Sequence, residues 1–245
     1  MRNGIKYARE HIDFDWFVML SGQDYPLRPI DESEEELRRS SYDAFVRASP
    51  VADGPYAYRY YLRYWQLPSF PYTHRLPRLL IRFLERSRQL LNRKCHWIRI
   101  QPGTKGAPSR IGFGLIGHPF SSTFVCHKGS QWVTLSRRAV DYLCRVEADR
   151  PEVLIHYRRT LIPDESYFQT ILFNASELRV CDDHRRFILW DDAKLAHPIT
   201  LSMTHFDSMI QSGKDFGRKF EMAIDSEILD ALDKVVLKTR HPKFA

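Results

Sequence analysis

Short motifs that mark several large enzyme classes are missing from this chain. Only 11 glycines occur in 245 residues, and GxxxxGK is absent, which excludes a P-loop. The one GxGxxG string, at residues 112–117, has no helix signal after it, which argues against a dinucleotide-binding loop. GxSxG and HExxH are absent as well, which argues against an α/β-hydrolase nucleophile and a zinc protease helix. A Cys/His nucleophile pair stays open, although no local pattern supports one.

Cysteine is scarce. The chain has four cysteines, widely separated and without a CxxC pair: Cys95, Cys126, Cys144 and Cys181. This spacing argues against a zinc ribbon, and the number is too low for a disulfide scaffold. Free thiols in a reducing compartment are the simpler interpretation, and one or two disulfides are left open.

Long apolar runs are missing too. The longest, at residues 16–20 and 111–116, are far shorter than the about 20 residues that cross a bilayer. The first residues also lack the apolar region of a signal peptide. We therefore expect no signal peptide or transmembrane segment in this chain, and a location in the cytoplasm or at the periphery of a membrane.

Positive charge, by contrast, is abundant. The formal net charge is +7 and the isoelectric point is about 9.3, which favours an anionic partner: a nucleotide-sugar, a nucleic acid or a membrane surface. Residues 75–110 carry ten lysines and arginines against Glu85 alone, with leucines interleaved. This segment resembles a basic amphipathic helix, either a solvated face or a patch that contacts an anionic membrane or polyanion. Because no nucleic-acid-binding motif is present, we expect no nucleic acid partner.

Helical and strand-like patterns alternate along the chain, which predicts an α/β fold. Predicted helices cover residues 5–11, 34–39, 137–146, 204–211 and 226–237, and predicted strands cover residues 15–20, 42–47, 124–126, 129–136, 178–181 and 187–190. A turn is predicted at residues 21–26. About residues 50–110 are predicted as a loop-rich basic insertion with one or two helices, whose tyrosines and arginines form either a packed cluster or a sugar-binding surface.

Two adjacent carboxylates lie where a further helix is predicted to begin. Pro163 suits a first helical turn, and Asp164 and Glu165 then lie at the positive end of the helix dipole. A carboxylate held there can act as a general base, or it can only cap the helix. Spacing alone leaves both interpretations open.

Another carboxylate follows the first predicted strand. Asp24 lies at the carboxyl end of that strand, the edge at which open α/β sheets bind ligands. The alternative is that Asp24 only hydrogen-bonds its own turn. The string Asp13-Phe14-Asp15 precedes the strand, so we do not interpret it as a metal site, and no metal is expected.

Four motifs occur in an order that resembles a known family. They are FDWFVMLSGQDYPL at residues 14–27, GSQWVTLS at 129–136, PDESYFQT at 163–170 and FGRKF at 216–220. Together they resemble the core-2/I-branching β-1,6-N-acetylglucosaminyltransferases and the related peptide O-xylosyltransferases. The resemblance implies a GT-A-like glycosyltransferase fold, with a mixed sheet flanked by helices, over one domain of residues 1–245.

The resemblance also implies roles for individual residues. Glu165 matches the family's catalytic base, and Lys219, with Arg218 beside it, matches the basic residue that binds the donor diphosphate without a metal. The family's second phosphate-binding arginine has no match near residues 197–199, and whether His197 replaces it is left open. The candidate substrate-binding residues are Asp24, Asp164, Trp132, Arg59 and Arg63.

The predicted function is therefore an inverting, metal-independent sugar transfer. A UDP-sugar would donate N-acetylglucosamine, or xylose, to a hydroxyl of a glycan or glycoconjugate acceptor, with no other cofactor. Only about a dozen residues precede the first strand, where the family has a uridine-binding βαβ unit, so an N-terminally incomplete fold is expected. The alternative is a non-catalytic remnant, or a module that binds sugar or polyanion.

Overall fold

A computed structural model describes residues 1–51, 56–67, 78–103, 108–114, 117–190 and 198–237. The chain forms two compact units. Unit 1 comprises Met1–Arg47, Trp132–Asp141 and Ser176–Ala245, and unit 2 comprises Ala48–Gln131 and Tyr142–Ala175.

Nine helices and ten strands lie in the described residues. The helices are α1 (Arg2–His11), α2 (Ile30–Arg39), α3 (Tyr58–Tyr61), α4 (Arg78–Lys94), α5 (Arg137–Asp149), α6 (Pro151–Tyr157), α7 (Tyr167–Phe173), α8 (Phe206–Gln211) and α9 (Glu227–Val236). The strands are β1 (Trp16–Val18), β2 (Asp24–Pro26), β3 (Ala44–Pro50), β4 (Arg63–Gln66), β5 (Ile98–Gln101), β6 (Arg110–Phe113), β7 (His127–Ser136), β8 (Val180–Cys181), β9 (Arg186–Ile188) and β10 (Phe216–Arg218). Single 3₁₀ turns lie at Pro163–Glu165 and Met203–His205.

Two of the three sheets are mixed. The first has the order β1-β7-β3-β8, in which β1 is antiparallel to β7 and β3 is parallel to β8. The second has the order β2-β10-β9, in which β10 is antiparallel to β2 and parallel to β9. These mixed sheets with flanking helices confirm the predicted α/β class and are consistent with a GT-A-like fold.

The core of unit 1 explains why a glycine lies three residues before the last phenylalanine of the FGRKF motif. Phe220 is buried with Leu27, Leu201 and Met209. Its ring lies against Gly217, where a Cβ atom would come within 2.9 Å of the ring. Gly217 therefore lets the core close directly beneath the Arg218 and Lys219 backbone.

The prediction of a loop-rich segment with one or two helices at about residues 50–110 misses a sheet. The helices α3 and α4 are present, but β4, β6 and β5 also form an antiparallel sheet in that order. Each of these strands has four residues, and arginine and aromatic side chains interrupt the apolar alternation that would reveal a strand. In the central strand, Gly112 leaves room for the Tyr64 ring, which a Cβ atom would approach to 2.5 Å.

The helix predicted to begin at Pro163 is divided in two. Pro163–Glu165 form a 3₁₀ turn, and α7 begins only at Tyr167. Between them Ser166 has φ −143° and ψ −31°, outside the helical region, and its hydroxyl donates a hydrogen bond to the His127 carbonyl at 2.6 Å. Tertiary bonding thus overrides local continuation of the helix. The predicted turn at 21–26 also differs, because its last three residues form β2.

Candidate active site

Glu165 lies half-buried in the 3₁₀ turn of unit 2. The hydroxyl of Tyr60, a buried residue of α3, donates a hydrogen bond to Glu165 Oε2 at 3.4 Å. Burial, and then the neighbouring Asp164 carboxylate, raise the pKa of Glu165 above its usual value. A carboxylate with raised proton affinity in a partly exposed position has the properties of a general base.

The surroundings of Glu165 carry opposing charges. Asp164 is exposed and raises the pKa of Glu165, whereas Arg59 and Lys128 lower it. Burial, and then the Glu165 charge, raise the pKa of Tyr60 to about 12, so this phenol stays protonated and remains a donor. The structure thus brings the predicted residues Arg59, Asp164 and Glu165 into one charged cluster.

A network of buried hydroxyl groups lies next to the 3₁₀ turn that carries Glu165. Tyr157 Oη lies 2.7 Å from both Ser166 Oγ and Thr170 Oγ1. Thr170 Oγ1 accepts a hydrogen bond from the His127 backbone N–H at 2.9 Å, and Ser166 donates to the carbonyl of the same residue. Because the residue that directly follows Glu165 is tied to β7, the position of the carboxylate is fixed by tertiary contacts.

Arg63 is linked through His156 to Tyr60, the residue that hydrogen-bonds to Glu165. Its Nε donates to Nδ1 of His156 at 3.4 Å, and His156 Nε2 donates to the Tyr60 carbonyl at 2.7 Å. Burial lowers the pKa of His156 to about 4, so the ring is neutral and can accept from Arg63. Arg63 thus supports the backbone of Tyr60 through His156.

A second group of predicted residues meets in unit 1. Arg218 Nη1 donates to Asp24 Oδ1 at 2.9 Å and to Ser21 Oγ at 2.5 Å. The guanidinium carbon lies 4.3 Å from the centre of the Trp132 ring. Asp24 Oδ2 also accepts from the Ser21 backbone N–H at 2.8 Å, so Asp24 does bond its own turn, and its binding of a ligand stays a prediction. Three candidate residues from distant parts of the sequence therefore form one cluster.

A second guanidinium lies in the same cluster. Arg186 is buried, donates to the Met19 carbonyl at 2.5 Å and lies 5.7 Å from the centre of the Trp132 ring. Burial lowers its pKa to about 10, and Arg218 also lowers it, whereas Asp24 raises it. Its Nε has no hydrogen-bond partner within the described part of the chain. This concentration of cationic donors is suited to an anion.

Lys219 is the most accessible cation of the FGRKF motif. Its Nζ lies 2.6 Å from Glu221 Oε1, which also accepts from the Thr200 hydroxyl at 3.1 Å. The side chains of Lys219 and Glu221 are 21% and 33% exposed, so this ion pair is in contact with solvent. An incoming anion can compete with Glu221 for the ammonium group.

Comparison with known proteins identifies the family. A model of the Core-2/I-Branching enzyme family matches residues 2–211. The chain belongs to the core-2/I-branching enzyme family. The family assignment predicted from the four motifs is thereby confirmed, and this is a family of glycosyltransferases.

Three relatives of this family member come from Arabidopsis thaliana. Beta-glucuronosyltransferase GlcAT14B is 28% identical over 240 residues, which cover 95% of this chain and 46% of the relative. Beta-glucuronosyltransferase GlcAT14A is 28% identical over 245 residues, with coverages of 94% and 44%, and beta-glucuronosyltransferase GlcAT14C is 25% identical over 228 residues, with coverages of 90% and 49%. The chain thus spans about half the length of the curated relatives it matches.

Other expectations for this core-2/I-branching family member concern metals, thiols and membranes. Within the described ranges, no group of three or more His, Cys, Asp or Glu side chains could hold a metal ion, and no helix could cross a membrane. The four cysteines, all described, form no disulfide with one another. His197 lies outside the described residues.

Sequence reasoning missed several residues of both clusters. Tyr60 and His156 support Glu165, and Arg186 supports the Trp132 cluster. None of the three belongs to the four motifs. No local sequence pattern distinguishes these three residues from ordinary core or surface residues.

Proposed function

We propose that this protein transfers a sugar from a UDP-sugar to a hydroxyl group of a glycan acceptor, with inversion at the anomeric carbon. The observation that carries the proposal is the half-buried Glu165, whose pKa is raised within a motif of the family. No cation of the described residues hydrogen-bonds to Glu165, so burial gives this carboxylate the proton affinity of a base, which a mere helix cap does not need.

In the proposed step the Glu165 carboxylate takes the proton of the acceptor hydroxyl. The acceptor oxygen attacks the anomeric carbon of the donor, and the bond from that carbon to the diphosphate oxygen breaks. UDP leaves with the bonding electrons. Tyr60 holds Oε2 in place, and its pKa keeps it protonated, so it does not compete for the acceptor proton.

The proposed site for the departing diphosphate is the cationic cluster of unit 1. Asp24 and Ser21 hold the Arg218 guanidinium, and Lys219 would exchange Glu221 for a phosphate oxygen. Such fixed cations can stabilise the leaving-group charge as a metal otherwise would. We therefore propose that the transfer is independent of metal and that EDTA leaves the rate unchanged.

For the donor sugar, the sequence resemblance implied N-acetylglucosamine or xylose. The relatives are named beta-glucuronosyltransferases, which favours glucuronic acid as the transferred sugar. A direct comparison uses UDP-glucuronic acid, UDP-N-acetylglucosamine and UDP-xylose with a panel of glycan acceptors. We expect the highest turnover with UDP-glucuronic acid.

The deciding experiment replaces the proposed base. Glu165→Gln keeps the size of the side chain and should lower kcat by about 10²–10⁴-fold, the range for loss of a general base. The control is Glu152→Gln, an exposed carboxylate of α6 that pairs with Arg150 and should leave kcat unchanged. Circular dichroism verifies that both variants fold. Turnover retained by Glu165→Gln, or a wild-type chain that uses none of the three donors, would overturn the proposal.

The second candidate function is a non-catalytic module that binds sugar or polyanion. The charge of unit 2 favours it, since this unit has 17 lysines and arginines against 7 aspartates and glutamates, whereas unit 1 has 20 against 23. Calorimetric titration with UDP separates the two. Micromolar binding supports the transferase, and a folded protein that does not bind UDP supports the module.

A peripheral membrane contact through residues 75–110 is a further proposal. Phe83, Leu84 and Leu90 of α4 are all more than half exposed among its arginines. Salt-sensitive sedimentation of the protein with anionic vesicles would support this contact.

A further inference from the structure

A large cavity within unit 2 has a strongly basic lining. Its volume is about 850 Å³, within the range of about 300–1,000 Å³ of pockets that hold small ligands. Its polar and aromatic lining includes Tyr58, Tyr61, Arg88, Arg93, His96 and Arg99, and among the described residues no carboxylate lines it.

The arginines of the cavity are not neutralised by ion pairs. Arg88, Arg93 and Arg99 have no carboxylate partner among the residues that the structure describes. The Arg99 guanidinium lies instead 3.5 Å from the centre of the Tyr58 ring, and its Nε is buried without a hydrogen-bond partner in that part of the chain. A buried, unsatisfied N–H of a cation favours an anionic acceptor, because leaving it unpaired costs free energy.

The cavity wall is held in a fixed geometry. Asn92 of α4 donates to the Ile100 carbonyl at 2.9 Å and accepts from the Ile100 N–H at 2.8 Å. This pair of hydrogen bonds fixes α4, which carries Arg88 and Arg93, to β5, which carries Arg99. The cations are thus positioned before a ligand arrives, which lowers the entropic cost of binding.

Helix α3 joins this cavity to the proposed base. Tyr58 and Tyr61 line the cavity, whereas Tyr60 of the same turn donates to Glu165. One helical turn rises only about 5.4 Å, so a ligand in the cavity would lie within about one helical turn of Tyr60. It would therefore also lie close to the acceptor hydroxyl that Glu165 would deprotonate. That proximity favours the acceptor glycan over an unrelated anion.

We propose that this cavity binds the acidic part of the acceptor glycan, with arginines 88, 93 and 99 pairing with sugar carboxylates. The proposal rests on the proposed transferase function, since it assigns the acceptor to the class of acidic oligosaccharides. A nucleotide base is less suited to the cavity, because Arg99 already covers a face of the Tyr58 ring and the Tyr61 ring packs against His118 and Phe120.

The test measures binding by calorimetry without any donor. The probes are tetragalacturonic acid and the neutral galactotetraose, titrated into the full chain. We expect the acidic tetramer to bind and the neutral tetramer to bind at least tenfold more weakly. Equal binding of the two tetramers, or no binding of the acidic one, would overturn the proposal.

Matched double variants locate the site. Arg88→Ala/Arg93→Ala removes two lining charges, and Arg82→Ala/Arg86→Ala removes two exposed charges of the same helix outside the lining. We expect at least a tenfold loss of affinity for the first and less than a threefold loss for the second. Equal losses would indicate diffuse attraction of a polyanion and refute the cavity. The exposed Arg93→Ala alone, with about a threefold loss expected, provides a second variant with little risk to folding.

Two further measurements distinguish an acidic glycan from a lipid headgroup as the ligand, and failure of the cavity proposal from failure of the proposed function. If vesicles containing phosphatidylserine lose binding to Arg88→Ala/Arg93→Ala while tetragalacturonic acid does not, the cavity serves a lipid headgroup and the proposal fails. Glu165→Gln should bind the acidic tetramer as the wild type does. Normal tetramer binding by a wild-type chain that transfers no sugar would refute the proposed function alone, and active transfer without tetramer binding would refute the cavity alone.

Discussion

The ion pair between Asp24 and Arg218 gives a quantitative prediction for the cationic cluster. The Asp24 side chain is 1% exposed and that of Arg218 is 15% exposed, so both charges are largely removed from water. Asp24→Asn keeps the shape but leaves Arg218 uncompensated beside the buried Arg186. Removing one partner of a buried pair costs about 3–5 kcal/mol. In a chain of this size each kcal/mol lowers Tm by about 2–4 °C, so we expect a decrease of about 6–20 °C.

The control for this prediction lies only a few residues away. Glu221→Gln removes the partner of Lys219, and because that pair is in contact with solvent it should lower stability far less than Asp24→Asn does. Chemical denaturation gives the free energy of unfolding of both variants, and differential scanning calorimetry gives Tm. If Asp24→Asn is no less stable than Glu221→Gln, Asp24 does not hold Arg218 in the folded protein, and the account of the cluster fails.

Three further predictions concern other residues. Asp164→Asn removes the charge that raises the pKa of Glu165, so the acidic limb of the kcat/KM–pH profile should move to lower pH, and an unmoved limb would contradict the coupling. Burial lowers the pKa of His156 to about 4 from its ordinary value of about 6.5, so the unfolded chain binds this proton first. The free energy of unfolding should therefore fall by up to about 3 kcal/mol as pH drops from 6.5 to 4, and His156→Gln should reduce that slope in urea titrations. Gly217→Ala should cost about 1–3 kcal/mol by overpacking against Phe220, and adding Phe220→Leu should recover part of it; a strictly additive double variant would argue against the contact.

Much of the fold could be predicted from periodicity alone. The apolar stripes of α5 and α9 lie in the predicted places, because burial of one face imposes its period on the sequence. The strand β1, which the sequence predicts to be buried, is only partly buried. The four-residue strands of unit 2 could not be predicted, since their pairing depends on partners nine or more residues away and Gly112 hides the pattern. The break at Ser166 also depends on a distant carbonyl.

The candidate site could likewise be predicted from the sequence only in part. The four motifs predict Glu165, Arg218 and Trp132 one by one, but no local pattern predicts that Asp24 and Trp132 contact the same guanidinium. Arg186 was not predicted for a different reason. A lone arginine in a strand normally indicates a solvated surface, and only its burial in the structure reveals a role.

The position of α3 would couple the proposed choice of acceptor glycan to the rate of sugar transfer. Its four residues are too few for one face to shift while the other stays in place, and they contact both the cavity and the carboxylate of Glu165. A substitution at Tyr58 that admits a bulkier branch should therefore alter turnover as well as acceptor choice. Selection for a new glycan would then be expected to bring compensating changes around Tyr60 and His156 in its wake.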